Sequence, residues 1–250
     1  MAAVTTVSTE SSRVALIIPT LDEEEAIGRT LAEVPRHELD RVIITDSGST
    51  DRTTEIASNA GAEVLMAGRG FGRACLEAAR FASDADILVF MDGDGADDPA
   101  QIPMLVAPIA LGDADFVLAS RVLGKREPGS MSWHQIAAGR VAGFGMRLLY
   151  GTRYSDMCTF RAIRREILLG LGMRELTYGW NIEMQMRAAR AGLRILEIPV
   201  PYRVRNGGVS KVAGNLRGTL RAGTRIVSTF FRVAAQPAPD LSGTSPDANI

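Results

Sequence analysis

The first 120 residues alternate between short apolar runs and helical patterns, and this alternation constrains the fold more than any single motif does. Runs at 14–19, 42–45, 63–67, 87–91 and 115–120 are rich in β-branched and large apolar residues and bounded by turn signals, as buried strands are. Helical patterns at 23–34, 51–60, 73–82 and 100–111 lie between them. Parallel strands need a crossover of helical length, so this repeat makes an α/β fold, a mostly parallel sheet with helices on both faces. The second half is less regular, with a helix at 181–191 and a strand at 194–198 as its clear elements. At 250 residues the chain can bury one full core, and a single domain over 12–211 is expected, divided into 12–120 and 121–211. A basic helix at 212–235 follows. The ends, 1–11 and 236–250, are rich in Ser, Thr, Ala, Pro and Gly and are expected to be disordered.

In open α/β sheets, ligands bind beyond the carboxyl ends of the strands, so the loops after the runs are where chemistry is sought. The fourth run ends in Phe90 and Met91 and breaks into Asp92, Gly93 and Asp94. Strand side chains alternate, so the two aspartates point the same way, and two hard oxygen ligands aimed at one point suit Mg²⁺ or Mn²⁺. A solvated acidic turn has the same composition. After the first run, Pro19, Thr20, Leu21 and Asp22 lead into Glu23, Glu24 and Glu25, which suit the first turn of a helix. After the second, Asp46 offers acceptors to a base or ribose, Gly48 permits a tight turn, and Thr50 or Asp51 caps the next helix. After the third, Gly68, Gly70 and Gly72 form a turn able to cradle phosphate on backbone amides. Its spacing does not fit G-x-G-x-x-G and it follows the third run instead of the first, which argues against a dehydrogenase.

Charge is divided along the chain. Residues 1–120 hold 21 Asp/Glu and 8 Lys/Arg, residues 121–250 hold 8 and 20, and the net charge is −1. The acidic half suits a cation, the basic half an anionic substrate or surface. Cys75 and Cys158 are far apart with no C-x-x-C pair, which argues against a disulfide framework or a zinc site. There is no basic-then-apolar leader and no run of about 18 apolar residues. A cytoplasmic protein without a nucleic-acid partner is expected.

Taken together, these loops resemble the family 2 glycosyltransferases of the GT-A fold, most closely the dolichyl- and polyprenyl-phosphate mannosyl- or glucosyltransferases. Pro19, Glu23 and Glu24 match that family's P-x-x-N-E loop, with Asp22 in place of Asn. Asp46, Gly48, Ser49, Thr50 and Asp51 match D-D-G-S-T-D, with Ser47 in place of an acid. Asp92 and Asp94 match the D-x-D motif, Ser120 and Arg121 follow the fifth strand, and Arg205, Gly208, Ser210 and Lys211 match R-x-x-G-x-S-K. The resemblance spans about residues 13–235. It implies a Rossmann-like nucleotide-binding half and an acceptor half. Pro19, Thr20, Asp22, Glu23, Asp46, Gly48 and Gly70 would hold a nucleotide sugar, with Asp92 and Asp94 on a metal at its diphosphate and Arg121 beside it. Arg205, Ser210 and Lys211 would approach phosphates on the acceptor side. Asp94, Asp156, Arg121, Arg205 and Lys211 are the implied catalytic set, with Asp156 as an acid near the sugar and Glu183 orienting Arg205 or sugar hydroxyls.

The implied reaction is an inverting, metal-dependent transfer of mannose or glucose from a nucleoside diphosphate sugar to a polyprenyl or dolichyl phosphate. A soluble acceptor in glycan or secondary-metabolite synthesis is the alternative. A non-catalytic nucleotide-binding module is a third reading, which the intact D-x-D and Arg205, Ser210 and Lys211 oppose. The segment 212–233 carries Arg217, Arg221 and Arg225 every four residues beside Leu220, Ile226 and Phe230. Such a helix suits reversible contact with an anionic membrane on its cytoplasmic face; a helix packed on the domain has the same pattern.

Overall fold

The computed structural model describes residues 12–207 and 216–241, of which 216–221 as backbone only. All five expected strands of the first half form: β1 (Val14–Thr20), β2 (Arg41–Asp46), β3 (Glu63–Met66), β4 (Ile87–Phe90) and β5 (Phe116–Ser120). Helices α1 (Ile27–Glu33), α2 (Thr53–Asn59), α3 (Phe71–Phe81) and α4 (Ile102–Ala110) connect them. Two helices start later than their patterns. Asp22 adopts φ 48, and a turn through residue 26 precedes α1. Asp51 accepts from the Thr53 amide (2.9 Å) in the turn that precedes α2, so it lies outside the helix.

The second half holds α5 (Trp133–Tyr150), β6 (Arg161–Arg164) and α6 (Arg165–Gly170), none of which the pattern announced. Then come α7 (Trp180–Arg190), β7 (Ile195–Pro199) and α8 (Leu216–Ala234). The sheet order is β3-β2-β1-β4-β6-β5-β7. β6 runs antiparallel between β4 and β5, and the other pairs are parallel. This order positions the site. The loops leaving β1, β2, β4 and β5 all emerge at one edge, and reversed β6 brings the segment that precedes it to the same edge.

Both sheet faces are buried, which is why the strands read as continuous apolar runs. Ala15, Ile17, Leu88 and Phe90 point into a core shared with α3, α6 and α7. Leu16, Ile18, Ile87 and Val89 point into a second core beneath α1, α2 and α4. Helix α5 lies close to the chain because its inner residues are small. A Cβ on Gly143 would fall 2.1 Å from the Tyr154 carbonyl oxygen.

The basic C-terminal helix forms, but as α8 packed on α7. Arg225 donates to Glu175 Oε1 (3.1 Å), and Arg232 reaches Glu175 Oε2 (3.3 Å) and Glu183 Oε1 (3.4 Å). Arg225, half exposed, thus braces the domain, as the packed alternative expects; the side chains of Arg217 and Arg221 lie outside the described residues. The tail expected from 236 is ordered at its start, where Arg187 donates to Gln236 (2.7 Å) and Leu241 packs on the first core. Residues 1–11 and 242–250 lie outside the described residues.

Candidate active site

The loops after β1 and β2 are stitched into one rim. Asp46 is fully buried. Its Oδ2 accepts from the amides of Gly48 (2.8 Å) and Ser49 (2.7 Å), and its Oδ1 from the hydroxyls of Thr20 (3.1 Å) and Ser49. Gly48 sits at φ 93, where a side chain would be strained. The Asp22 amide donates to Ser49 Oγ (2.8 Å), and Asp22 Oδ1 accepts from the Thr50 amide (2.8 Å). The Glu23 amide donates to Thr53 Oγ1 (2.8 Å). Thr20, Asp22, Glu23, Asp46 and Gly48 therefore belong to one hydrogen-bonded unit, and Pro19 lies opposite Thr45 in the sheet beside it. From the sequence alone Asp46 meets a base or ribose directly; in the structure its four bonds are internal, so it shapes the rim. Asp46→Ala is expected to lower the melting temperature and, by loosening the rim, to weaken nucleoside diphosphate binding. Calorimetry showing unchanged affinity would remove this rim from the nucleotide site.

Gly70 and Gly72 answer to a different constraint from a phosphate cradle. Cβ atoms there would lie 2.5 Å from the Leu176 carbonyl oxygen and 2.3 Å from that of Glu175. The Arg73 amide, in the first turn of α3, donates to Leu176 O (3.0 Å). An amide that a cradle would use is spent within the chain. Gly70 seals α3 against residues 175–176.

The end of β4 delivers three carboxylates. Asp94 is buried, with Oδ1 accepting from the Ala96 amide (3.0 Å) and Oδ2 from Arg205. Asp97 accepts from the Asp92 amide (3.2 Å). Burial, then the charge of Asp94, pushes the Asp92 carboxyl up to about 6, against the pull of Arg121, Thr159 and Arg205. Burial, with the charges of Asp92 and Asp94, pushes Asp97 well above the usual carboxylate range. The strap at 202–206 lies over this cluster. Tyr202 bridges Asp97, the Arg203 amide donates to Ala96 O (2.9 Å) and the Asn206 amide to Asp94 O (2.9 Å). Arg205 Nη1 is buried with no hydrogen-bond partner among the described residues. An unpaired buried donor costs about 1–3 kcal/mol, so this atom marks a place for an oxygen acceptor.

Arg121 leaves β5 with its guanidinium 5.0 Å from the centre of the Tyr202 ring. Asp156 grips it bidentately, at 2.8 and 2.7 Å, and also takes the amides of Arg121 (3.0 Å) and Met157 (2.7 Å). Burial favours the neutral acid, but the Arg121 bonds win and hold Asp156 below its ordinary value. Asp156, expected as an acid near the sugar, is therefore the anchor of Arg121. The reading of Glu183 is corrected. It is fully buried, accepting from the amides of Arg174 (3.0 Å) and Glu175 (2.5 Å) and from Arg187 (3.0 Å), and it ties α7 to its neighbours. Ser210 and Lys211 lie outside the described residues. Asp97 and Tyr202 are the site residues that sequence reasoning missed. The acid run after β4 was the signal for the first, and nothing in the pattern marked the second.

Among the described residues, no group of three or more His, Cys, Asp or Glu could by itself hold a metal ion. Asp92 and Asp94 instead fit an ion bound through one or two carboxylates that takes its remaining ligands from water and phosphate, the habit of Mg²⁺ and, by ligand class, Mn²⁺. Burial raises Asp92 and Asp97 most, and the like charge that adds to it is one that such an ion offsets.

A family model described as glycosyl transferase family 2 matches residues 15–172, more than half of the chain. The chain belongs to family 2 of the glycosyltransferases. It is 36% identical to an uncharacterized glycosyltransferase of Mycobacterium tuberculosis, over 84% of this chain and 94% of that one. It is 31% identical to the undecaprenyl-phosphate mannosyltransferase of Micrococcus luteus, over 82% of this chain and 90% of that one. The glucosyl-3-phosphoglycerate synthase of M. tuberculosis, solved in complex with Mn²⁺, UDP-glucose and phosphoglyceric acid, superposes with a TM-score of 0.74 over 92% of this chain and 81% of its own, at 23% identity. That likeness shows the fold, and the expected GT-A architecture is borne out. As a member of the family the protein is a glycosyltransferase, and α7, β7 and α8 lie beyond the matched segment.

Proposed function

We propose that the protein transfers a hexose from a nucleoside diphosphate sugar to a polyprenyl phosphate, with inversion and with Mg²⁺ or Mn²⁺ held at Asp92 and Asp94. The observation that carries the reading is Arg205, which bonds Asp94 while its buried Nη1 has no partner among the described residues. An acid cluster alone calls for a cation. A guanidinium bridging from it toward an unfilled acceptor position calls for an anion as well, and arginine suits phosphate. Arg121, locked by Asp156 at the same edge, supplies a second fixed charge. The name of the M. luteus relative supports a lipid-linked phosphate acceptor.

In this reading the rim of Thr20, Asp22, Asp46 and Gly48 holds the nucleoside. A divalent cation at Asp92 and Asp94 would neutralise the diphosphate as it leaves. A phosphate monoester oxygen is already anionic at neutral pH and needs no strong base. Arg121 and Arg205 hold it beside the donor sugar, offsetting the repulsion of two anions. The oxygen forms its bond to the anomeric carbon on the face opposite the departing diphosphate, which gives inversion. Lys211 and Ser210 are proposed to join the same phosphate contacts.

A water-soluble phosphorylated acceptor is the second reading, supported by the phosphoglyceric acid in the complex of the fold neighbour. Purified protein supplied with GDP- and UDP-hexoses, Mn²⁺ and a short polyprenyl phosphate in detergent tests the first reading. A hexose-bearing product extracted into organic solvent is expected, and none with any donor contradicts it. Arg205→Ala is expected to lower kcat/KM about 10²–10³-fold while the protein stays folded with only a modestly lower melting temperature. A variant that unfolds instead would make Arg205 a packing residue.

A further inference from the structure

Helix α5 turns the usual code inside out. Its buried side is made of Gly139, Gly143 and Met146, and its outer side is apolar. Trp133 is 80% exposed, Phe144 63% and Leu148 71%. Val141, Phe144 and Leu148 are spaced as one helical stripe. The helix cannot roll this stripe inward, because a Cβ at Gly143 would strike the Tyr154 carbonyl oxygen at 2.1 Å. The patch continues onto α8. Phe230 packs against Gly145, and the Phe231 ring, 5.9 Å from that of Phe230, is 68% exposed. A contiguous apolar face of this kind marks an interaction surface.

Charge chooses the partner. Residues 128–155 contain no Asp or Glu and carry Arg140, Arg147 and Arg153, all exposed. Residues 198–239 contain no acid either. The carboxylates bordering the stretch are engaged elsewhere, Asp156 with Arg121 and Glu197 with Ser155, so pairing two copies through this face would set arginine against arginine. An anionic lipid surface answers both halves of the pattern, with apolar side chains at the acyl boundary and arginines at the headgroup phosphates.

We propose that the outer face of α5, with the adjoining edge of α8, is a docking surface for anionic phospholipid membranes. The lipid contacts are then Arg140 and Arg147 of α5 and Arg153 just after it, while Arg225 and Arg232 remain rivets to Glu175 and Glu183. The inference deepens the polyprenyl-phosphate reading, whose acceptor lives in a membrane, and rests on it for its purpose alone.

The chain has two tryptophans, and Trp180 is only 1% exposed, so intrinsic fluorescence reports on Trp133. Without donor or acceptor, wild-type protein is titrated with vesicles of phosphatidylglycerol and phosphatidylcholine, then of phosphatidylcholine alone. A blue shift and co-sedimentation with the anionic vesicles, reversed by high salt, are expected. Phe144→Ser with Leu148→Ser, and separately Arg140→Gln with Arg147→Gln and Arg153→Gln, are expected to weaken partitioning at least about tenfold with unchanged melting curves. No shift and no sedimentation with anionic vesicles overturns the proposal. So does a concentration-dependent dimer in light scattering that Phe144→Ser dissolves, since the face would then belong to a second copy. Transfer to detergent-dispersed polyprenyl phosphate without vesicle binding overturns the docking face and keeps the acceptor. Vesicle binding without such transfer supports the docking face and overturns the acceptor.

Discussion

Asp94→Asn is expected to reduce transfer by about 10³-fold or more while the protein keeps its fold. The amide oxygen can still accept from the Ala96 amide, and the volume is unchanged, so the turn after β4 has no reason to open. What disappears is the charge. Asp94 loses its hold on a cation and on Arg205 at once, and Arg205 is the group proposed to carry the acceptor phosphate. Two effects on one transition state make this the largest activity loss expected of any conservative change in the chain. EDTA is expected to reproduce it reversibly in the wild type. Steady-state rates beside a melting curve check the result, and full activity of Asp94→Asn in EDTA would end the metal assignment.

The largest loss of stability is expected at Glu183. Its carboxylate is fully buried and accepts from two backbone amides, from Arg187 at 3.0 Å and from Arg232 at 3.4 Å. Glu183→Ala removes the acceptor from all four and leaves the nearly buried Arg187 without its carboxylate partner. Breaking a buried pair by deleting one partner costs about 3–5 kcal/mol, a large share of a total stability of about 5–15 kcal/mol. Urea unfolding measures it. A loss below about 1 kcal/mol would class this cluster with exposed ion pairs, which contribute little.

The first half of the fold was legible because its strands are buried on both faces and announce themselves as apolar runs. The second half was not, for particular reasons. In α5 glycines face inward and Phe144 and Leu148 face out, so hydrophobic periodicity carries no message about its packing. In β6 the strand is Arg-Ala-Ile-Arg, and its first arginine is fully buried. Burial lowers the Arg161 guanidinium to about 10; it donates to the carbonyls of Thr159 (3.2 Å) and Asn181 (3.3 Å) and lies 5.8 Å from the Phe116 ring centre. No propensity scale reads a strand there.

The site was legible by residue type and obscure by partner. Asp92 and Asp94 stand at the strand end that their spacing indicated. Asp46, Asp156 and Glu183 also lie at ordered, buried positions, yet each spends its carboxylate inside the protein. A buried carboxylate serves equally as a ligand or as a brace. Only the tertiary partners, such as Thr20 for Asp46 or Arg121 for Asp156, decide which.

A competition assay tests the central claim most directly. Wild-type protein, Mn²⁺ and a labelled nucleoside diphosphate hexose are mixed with equal amounts of detergent-dispersed polyprenyl phosphate and 3-phosphoglycerate, and the organic and aqueous products are separated and weighed by mass spectrometry. Label in the organic phase, on a hexosyl polyprenyl phosphate of inverted anomeric configuration by NMR, is the predicted result. Label confined to the aqueous phase, on glucosyl- or mannosyl-phosphoglycerate, would contradict it.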